Sequence, residues 1–109
     1  MTSIETAARS QMIGGLTFEA QLDKTLEKLR ALLIEKNRSY GNSALDPVRL
    51  FAKTDAVEQL RVRIDDKISR LVRGLEFMGE NTPTDFLGYL ILLDIAERIA
   101  AEAVANGAA

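Results

Sequence analysis

Three short segments of the chain carry residues whose types and spacing suit the binding of a phosphate-bearing small molecule. Lysine and arginine donate to phosphate oxygens, tyrosine rings can stack on a base, and a carboxylate can accept from a ribose hydroxyl or a base N–H. None of these residue types is by itself a signature of catalysis. The candidate ligand-binding residues are Lys36, Tyr40, Gly41 and Ser43 in the first segment, Arg63, Lys67 and Arg70 in the second, and Asp85 and Tyr89 in the third.

The second segment places three cations on one side of a predicted helix. At 100° per residue, Arg63, Lys67 and Arg70 fall within about 60° of one another, beside the apolar face and not opposite to it. Side chains at the rim of a groove between helices can reach a bound anion while their stems pack. The alternative is a solvent-exposed face whose cations pair with carboxylates such as Asp66.

The first segment reads Lys-Asn-Arg-Ser-Tyr-Gly-Asn-Ser from Lys36 to Ser43. A Gly-Asn-Ser loop can expose backbone N–H groups to an anion, and Tyr40 could stack on a base. The alternatives are structural: Lys36 complements a helix dipole, and Gly41 reverses the chain.

In the third segment, Asp85 and Tyr89 lie four residues apart at the start of a predicted helix, with Gly88 between them. This spacing puts both side chains on one helix face. A glycine inside a helix costs roughly 1 kcal/mol against alanine, which suggests close approach by a helix or a ligand. The alternatives are that Asp85 caps the helix and that Tyr89 is a core aromatic.

The residue types that the sequence lacks exclude several kinds of catalytic and metal site. The 109 residues include no histidine and no cysteine, which removes the commonest general base, thiolate metal sites and Ser–His or Cys–His pairs. The chain also lacks the Glu-x-x-Glu and Glu-x-x-Asp pairs with which helical nucleotide pyrophosphohydrolases bind magnesium. We therefore expect no metal and no cofactor, and the residue inventory favours binding over catalysis without deciding between them. Asp85 is the only good general-base candidate.

The net charge of −2 argues against a partner that is polymeric nucleic acid. No apolar run approaches the roughly 20 residues that span a membrane. The sequence therefore predicts a cytoplasmic protein with no membrane partner.

Helical periodicity and capping signals predict an all-α fold, a small helical bundle of three long helices. The first helix is predicted over residues 18–37 with Thr17 as its N-cap. The second is predicted over 55–78 with Gly79 as its stop, and the third opens with Thr82 as its N-cap. We expect an N-terminal tail or short helix over 1–16 and a single helical domain over 17–109.

Each predicted helix has an apolar stripe that we expect to be buried. More apolar side chains, including Leu32, Phe77, Met78 and Phe86, lie outside these stripes, and three helices offer only a small core. We therefore predict a homo-oligomer with its ligand site near a subunit interface. The stripes are Phe18, Leu22, Leu26, Leu29 and Leu33; then Leu60, Ile64, Ile68, Leu71 and Leu75; then Leu87, Leu90, Ile91, Ile95 and Ile99.

Over roughly residues 29–95, these motifs in this order resemble the phage-associated family called nucleotide modification associated domain 1. The chain departs from the family pattern at Ala44, where an aromatic residue usually follows the Tyr-Gly-x-Ser stretch. The resemblance implies a helical nucleotide-binding protein of phages or prophages that acts in the cytoplasm of the bacterial host. Phage proteins of this size also include sponges, oligomers that sequester the cyclic nucleotide signals of antiviral defence.

Three hypotheses follow. The leading one is a nucleotide binder without enzymatic activity, most concretely a phage sponge for a cyclic nucleotide. In this hypothesis the basic stripe holds phosphates, Tyr40 and Tyr89 contact base or ribose, and Asp85 accepts a hydrogen bond from the ligand. The second is an enzyme or accessory protein of phage nucleotide modification. The third is a helical protein-interaction module whose polar stripes face solvent.

Overall fold

The computed structural model of the protein describes residues 12–74 and 81–107. Within these residues the chain forms three helices and one small hairpin, which confirms the predicted all-α fold class. The elements in chain order are β1 (Met12–Ile13), β2 (Leu16–Thr17), α1 (Phe18–Ser39), α2 (Ala56–Arg73) and α3 (Thr82–Ala105).

The chain divides into two compact units, Met1–Lys36 and Asn37–Ala109. In the first unit, β1 and β2 pair antiparallel around Gly14 and Gly15, which both have the positive φ that such a tight turn requires. This hairpin forms where the sequence predicts the end of a tail or short helix. Residues 1–11 lie outside the described residues.

The hairpin leads directly into α1, and two hydrogen bonds fix the junction. The amide of Ala20 donates to Thr17 Oγ1 at 3.1 Å, which confirms the predicted N-cap. The side-chain amide of Gln21 donates to the carbonyl of Ile13 at 2.7 Å and ties the hairpin to the first turn of the helix. Helix α1 continues to Ser39, two residues beyond its predicted end.

The apolar stripe of α1 is only partly buried, which corrects the expectation of a buried face. Leu29 is buried and Leu33 is half-buried, but Phe18, Leu22 and Leu26 are exposed. Apolar periodicity depends on the helix alone, whereas burial depends on what covers the helix. The first half of the stripe is an exposed apolar surface.

In the second unit, α2 packs against α3. The core of this unit centres on Leu60, Ile64 and Ala96, and Gly88 of α3 is also buried. The predicted stripes are less buried than expected: Ile68 and Leu71 of α2 are exposed, and no residue of the α3 stripe is buried, since Leu87, Leu90 and Ile99 are exposed and Ile91 and Ile95 are half-buried. Leu75, Phe77, Met78 and Gly79 lie outside the described residues.

The caps of α2 and α3 differ from those predicted. Asp55 caps α2 by accepting from the amide of Glu58 at 2.9 Å, and Gly74 ends the helix with φ of 67°. The helix therefore stops five residues before Gly79, the predicted stop. The N-cap of α3 is Asn81, whose Oδ1 accepts from the amide of Thr84 at 3.2 Å, and Thr82 is the first helical residue. The prediction of Thr82 as the cap is wrong by one residue, because Asn81 is an equally good capping residue.

Candidate functional site

A cluster of four side chains forms where α2 packs against α3. Arg63 and Lys67 lie one turn apart on α2, and Asp85 and Tyr89 lie one turn apart on α3. The packing of the two helices brings these pairs together, although the sequence separates them by about twenty residues. We call these four residues the cation–tyrosine cluster.

Lys67 is the centre of this cluster and is 9% exposed. Its ammonium lies 3.6 Å from Asp85 Oδ2 and 5.9 Å from the centre of the Tyr89 ring. The first distance is an ion pair but exceeds the 2.7–3.2 Å of an ordinary N–H···O hydrogen bond. Lys67 therefore has a counter-charge among the described residues, while none of them accepts a hydrogen bond from its ammonium.

Arg63 reaches the same tyrosine from the solvent side. Its guanidinium carbon lies 6.0 Å from the centre of the Tyr89 ring, at the outer limit of a cation–π contact. Arg63 is exposed and Tyr89 is half-buried. The Tyr89 ring thus lies within about 6 Å of two cations, one from each of two successive turns of α2.

The third cation of the stripe, Arg70, has a carboxylate partner on its own helix. Its Nε lies 3.2 Å from Asp66 Oδ2, one turn earlier, and both side chains are partly exposed. This pair agrees with the alternative that the basic stripe is a solvent-exposed face whose cations pair with carboxylates such as Asp66. Arg63 and Lys67 are the stripe cations that join Asp85 and Tyr89.

The loop after α1 reverses the chain and uses its own amides to do so. Gly41 and Asn42 both have positive φ, near 60°. The amide of Asn42 donates to the carbonyl of Asn37 at 3.1 Å, and that of Ser43 donates to the carbonyl of Tyr40 at 3.3 Å. These amides serve the turn, which favours chain reversal over phosphate binding. The Tyr40 side chain is 68% exposed.

Lys36 belongs to the first compact unit and lies in the last turn of α1. At that position its charge complements the negative end of the helix dipole, as the structural alternative holds. The roles of Lys36, Tyr40, Gly41 and Ser43 in ligand binding stay predictions.

The second unit has two further features that the sequence did not predict: the ion pairs of Arg61 and an open groove. Arg61 of α2 donates hydrogen bonds to Glu58 and, at 3.4 Å, to Glu97 of α3. The bond to Glu58 raises the pKa of the Arg61 guanidinium.

An open groove of about 200 Å³ lies between the first turn of α2 and the second half of α3, lined by Leu45 and Ile99 among others. None of the nine candidate residues lines it.

The described residues contain no group of three or more histidine, cysteine, aspartate or glutamate side chains arranged to hold a metal ion. In the same part of the chain, no helix has both the length and the apolarity that crossing a membrane requires.

Comparison of the chain with protein-family models, curated proteins and solved structures found no match.

Proposed function

We propose that the protein binds a phosphate-bearing nucleotide at the cation–tyrosine cluster and releases it unchanged. The observation that carries this proposal is the environment of Lys67. Lys67 is 9% exposed as a residue, its ammonium pairs with Asp85 at 3.6 Å, and no described residue accepts a hydrogen bond from that ammonium.

A lysine side chain with little access to water is costly unless the donors of its ammonium are satisfied. Lysine has three N–H donors, and removing them from water without acceptors costs free energy. A phosphate oxygen that approaches between Arg63 and Lys67 would accept hydrogen bonds from both cations. Bonds of this charge-assisted kind are roughly twice as strong as bonds between neutral groups.

The charges of the cluster favour a ligand with few negative charges. Arg63 and Lys67 contribute two positive charges and Asp85 one negative charge, which leaves a net charge of +1. A phosphodiester, such as that of a cyclic nucleotide, carries one negative charge and matches this value. A triphosphate would bring several negative charges close to the Asp85 carboxylate.

The proposal also specifies the class of ligand and that the ligand is not converted. Nucleotides are chosen within the phosphate-bearing class because of the sequence resemblance described above. Binding without conversion is chosen because the cluster offers cations, a tyrosine and one carboxylate that is already paired with Lys67. In this proposal the protein is a phage sponge that sequesters a cyclic nucleotide signal.

The experiment is a binding titration with a panel of mononucleotides, dinucleotides and cyclic nucleotides. Arg63→Ala should weaken binding of the best ligand by about 1.5–3 kcal/mol, the range for hydrogen bonds to charged groups. Arg61→Ala is the matched control, since Arg61 is an exposed arginine of the same helix whose partners are Glu58 and Glu97. The control should bind like the wild type.

Two outcomes would contradict the proposal. If no nucleotide binds, or if Arg63→Ala and Arg61→Ala bind equally well, the cluster is not a nucleotide site. If the wild type converts a nucleotide and Asp85→Asn does not, the protein is an enzyme with Asp85 as its base.

A further inference from the structure

The loop between α1 and α2 carries three strongly exposed apolar side chains. Val48, Leu50 and Phe51 are 76%, 71% and 99% exposed, in a stretch with no helix or strand. Two cations interleave with them: Lys53 donates to the carbonyl of Arg49 at 3.0 Å, which keeps these two residues close together. We call residues 48–53 the apolar–basic loop.

The first unit has a surface of the opposite charge. The exposed residues Phe18, Leu22 and Leu26 form an apolar stripe along the first turns of α1. At 100° per residue, Glu19 and Asp23 lie along one border of this stripe, about 6 Å apart along the helix axis. We call these five residues the apolar–acidic stripe.

The four charged residues of these two surfaces share one property. Glu19, Asp23, Arg49 and Lys53 are all exposed, and none of them has an ion-pair partner among the described residues. Arg49 and Lys53 donate only to backbone carbonyls, those of Thr54 and Arg49.

We propose that the apolar–basic loop of one copy of the chain docks on the apolar–acidic stripe of another copy. Phe51, between Arg49 and Lys53, would lie against Leu22, between Glu19 and Asp23. Apolar side chains would then meet apolar side chains, and the cations of the loop would meet the carboxylates of the stripe. This charge complementarity fixes which residues face each other and disfavours contact between surfaces of like charge. This inference does not depend on the proposed nucleotide site.

The area argues that each copy uses both surfaces. An aromatic side chain buries about 150–250 Å², so the loop offers on the order of 400 Å². A stable interface buries roughly 800 Å² on each partner. One loop on one stripe falls short of this area. In a two-fold symmetric dimer, the loop and the stripe of each copy both lie in one interface, which then buries about twice as much and reaches the range of a stable interface.

The test is a charge exchange between two variants, measured by light scattering. In one variant Arg49 and Lys53 become glutamate, so that its loop and stripe are both acidic. In the other, Glu19 and Asp23 become lysine, so that both surfaces are basic. Each variant alone should dissociate, with a dissociation constant raised about tenfold or more, because like charges then oppose each other. An equimolar mixture should assemble again, because each loop then meets a stripe of opposite charge.

Controls separate loss of docking from loss of folding. Glu35→Lys with Glu102→Lys changes two exposed acids outside the stripe and should leave assembly intact. Phe51→Ser alters a fully exposed side chain, so it should weaken assembly without reducing helicity in circular dichroism. The proposal is overturned if the wild type is a monomer at micromolar concentration, if either charge variant assembles like the wild type, or if the mixture stays dissociated.

Discussion

Lys67→Met is the substitution that best separates a ligand-binding lysine from a structural one. Methionine has nearly the length of lysine and fills the same space without a charge. The substitution removes the charge of a residue that is 9% exposed and whose ammonium pairs with Asp85 at 3.6 Å. Its effects on stability and on ligand binding are expected to differ.

The effect on stability is the balance of two opposing contributions. Two unit charges 3.6 Å apart attract by about 2–5 kcal/mol if the effective dielectric constant is roughly 20–40. Desolvation of a buried ion opposes this attraction and costs several kcal/mol for each ion. Asp85 is also partly exposed, so water can solvate its carboxylate once the lysine is gone. We therefore expect a change of about 1 kcal/mol or less in the free energy of unfolding.

The effect on binding has no such compensation. Loss of the Lys67 ammonium removes a charge-assisted donor to the ligand, which costs about 1.5–3 kcal/mol, or roughly 10- to 150-fold in affinity. Urea denaturation of the free protein measures the first effect, and titration with the best nucleotide of the panel measures the second.

The result that would refute this reasoning is the reverse pattern. If Lys67→Met lowers the free energy of unfolding by more than about 3 kcal/mol, the value for breaking a buried ion pair, Lys67 holds the helices together. If the variant also binds nucleotide as well as the wild type does, Lys67 has a structural role alone.

Three further outcomes are expected. Raising the salt concentration should weaken nucleotide binding by the wild type more than by Arg63→Ala, because the variant has lost an exposed cation whose attraction salt screens; titrations at two ionic strengths measure this. Gly74→Ala should lower the free energy of unfolding by about 1–2 kcal/mol, since φ of 67° is strained for alanine while a Cβ there meets no atom within 4 Å. Asp55→Ala should cost about 1 kcal/mol by removing the α2 cap, and urea denaturation of both variants checks these values.

Local signals along the chain were sufficient to predict the helices. Thr17 caps α1 as predicted, because a capping hydroxyl acts on an amide only three residues away. Errors arose where neighbouring residues offer the same local chemistry. Asn81 and Thr82 are both capping residues, and Gly74 precedes Gly79 as a place for a helix to stop.

The sequence offered Asp66 as a partner for the basic stripe but did not predict which cation pairs with which carboxylate. Spacing alone put Arg63, Lys67 and Arg70 on one stripe, but Arg70 pairs within α2 while Lys67 pairs with Asp85 of α3. That difference depends on how the two helices pack. The same limit applies to exposure: the α1 stripe has a regular apolar period, yet its first half is exposed.

Recovery of ligand from the purified protein tests the central claim most directly. The wild type and Lys67→Met are incubated with the nucleotide panel, freed of unbound ligand, heated to unfold the protein, and the released compounds are identified by mass spectrometry. We expect the wild type to retain one nucleotide and to release it chemically unchanged, and Lys67→Met to retain far less. A nucleotide that is released altered, or retained equally by both proteins, would contradict this expectation.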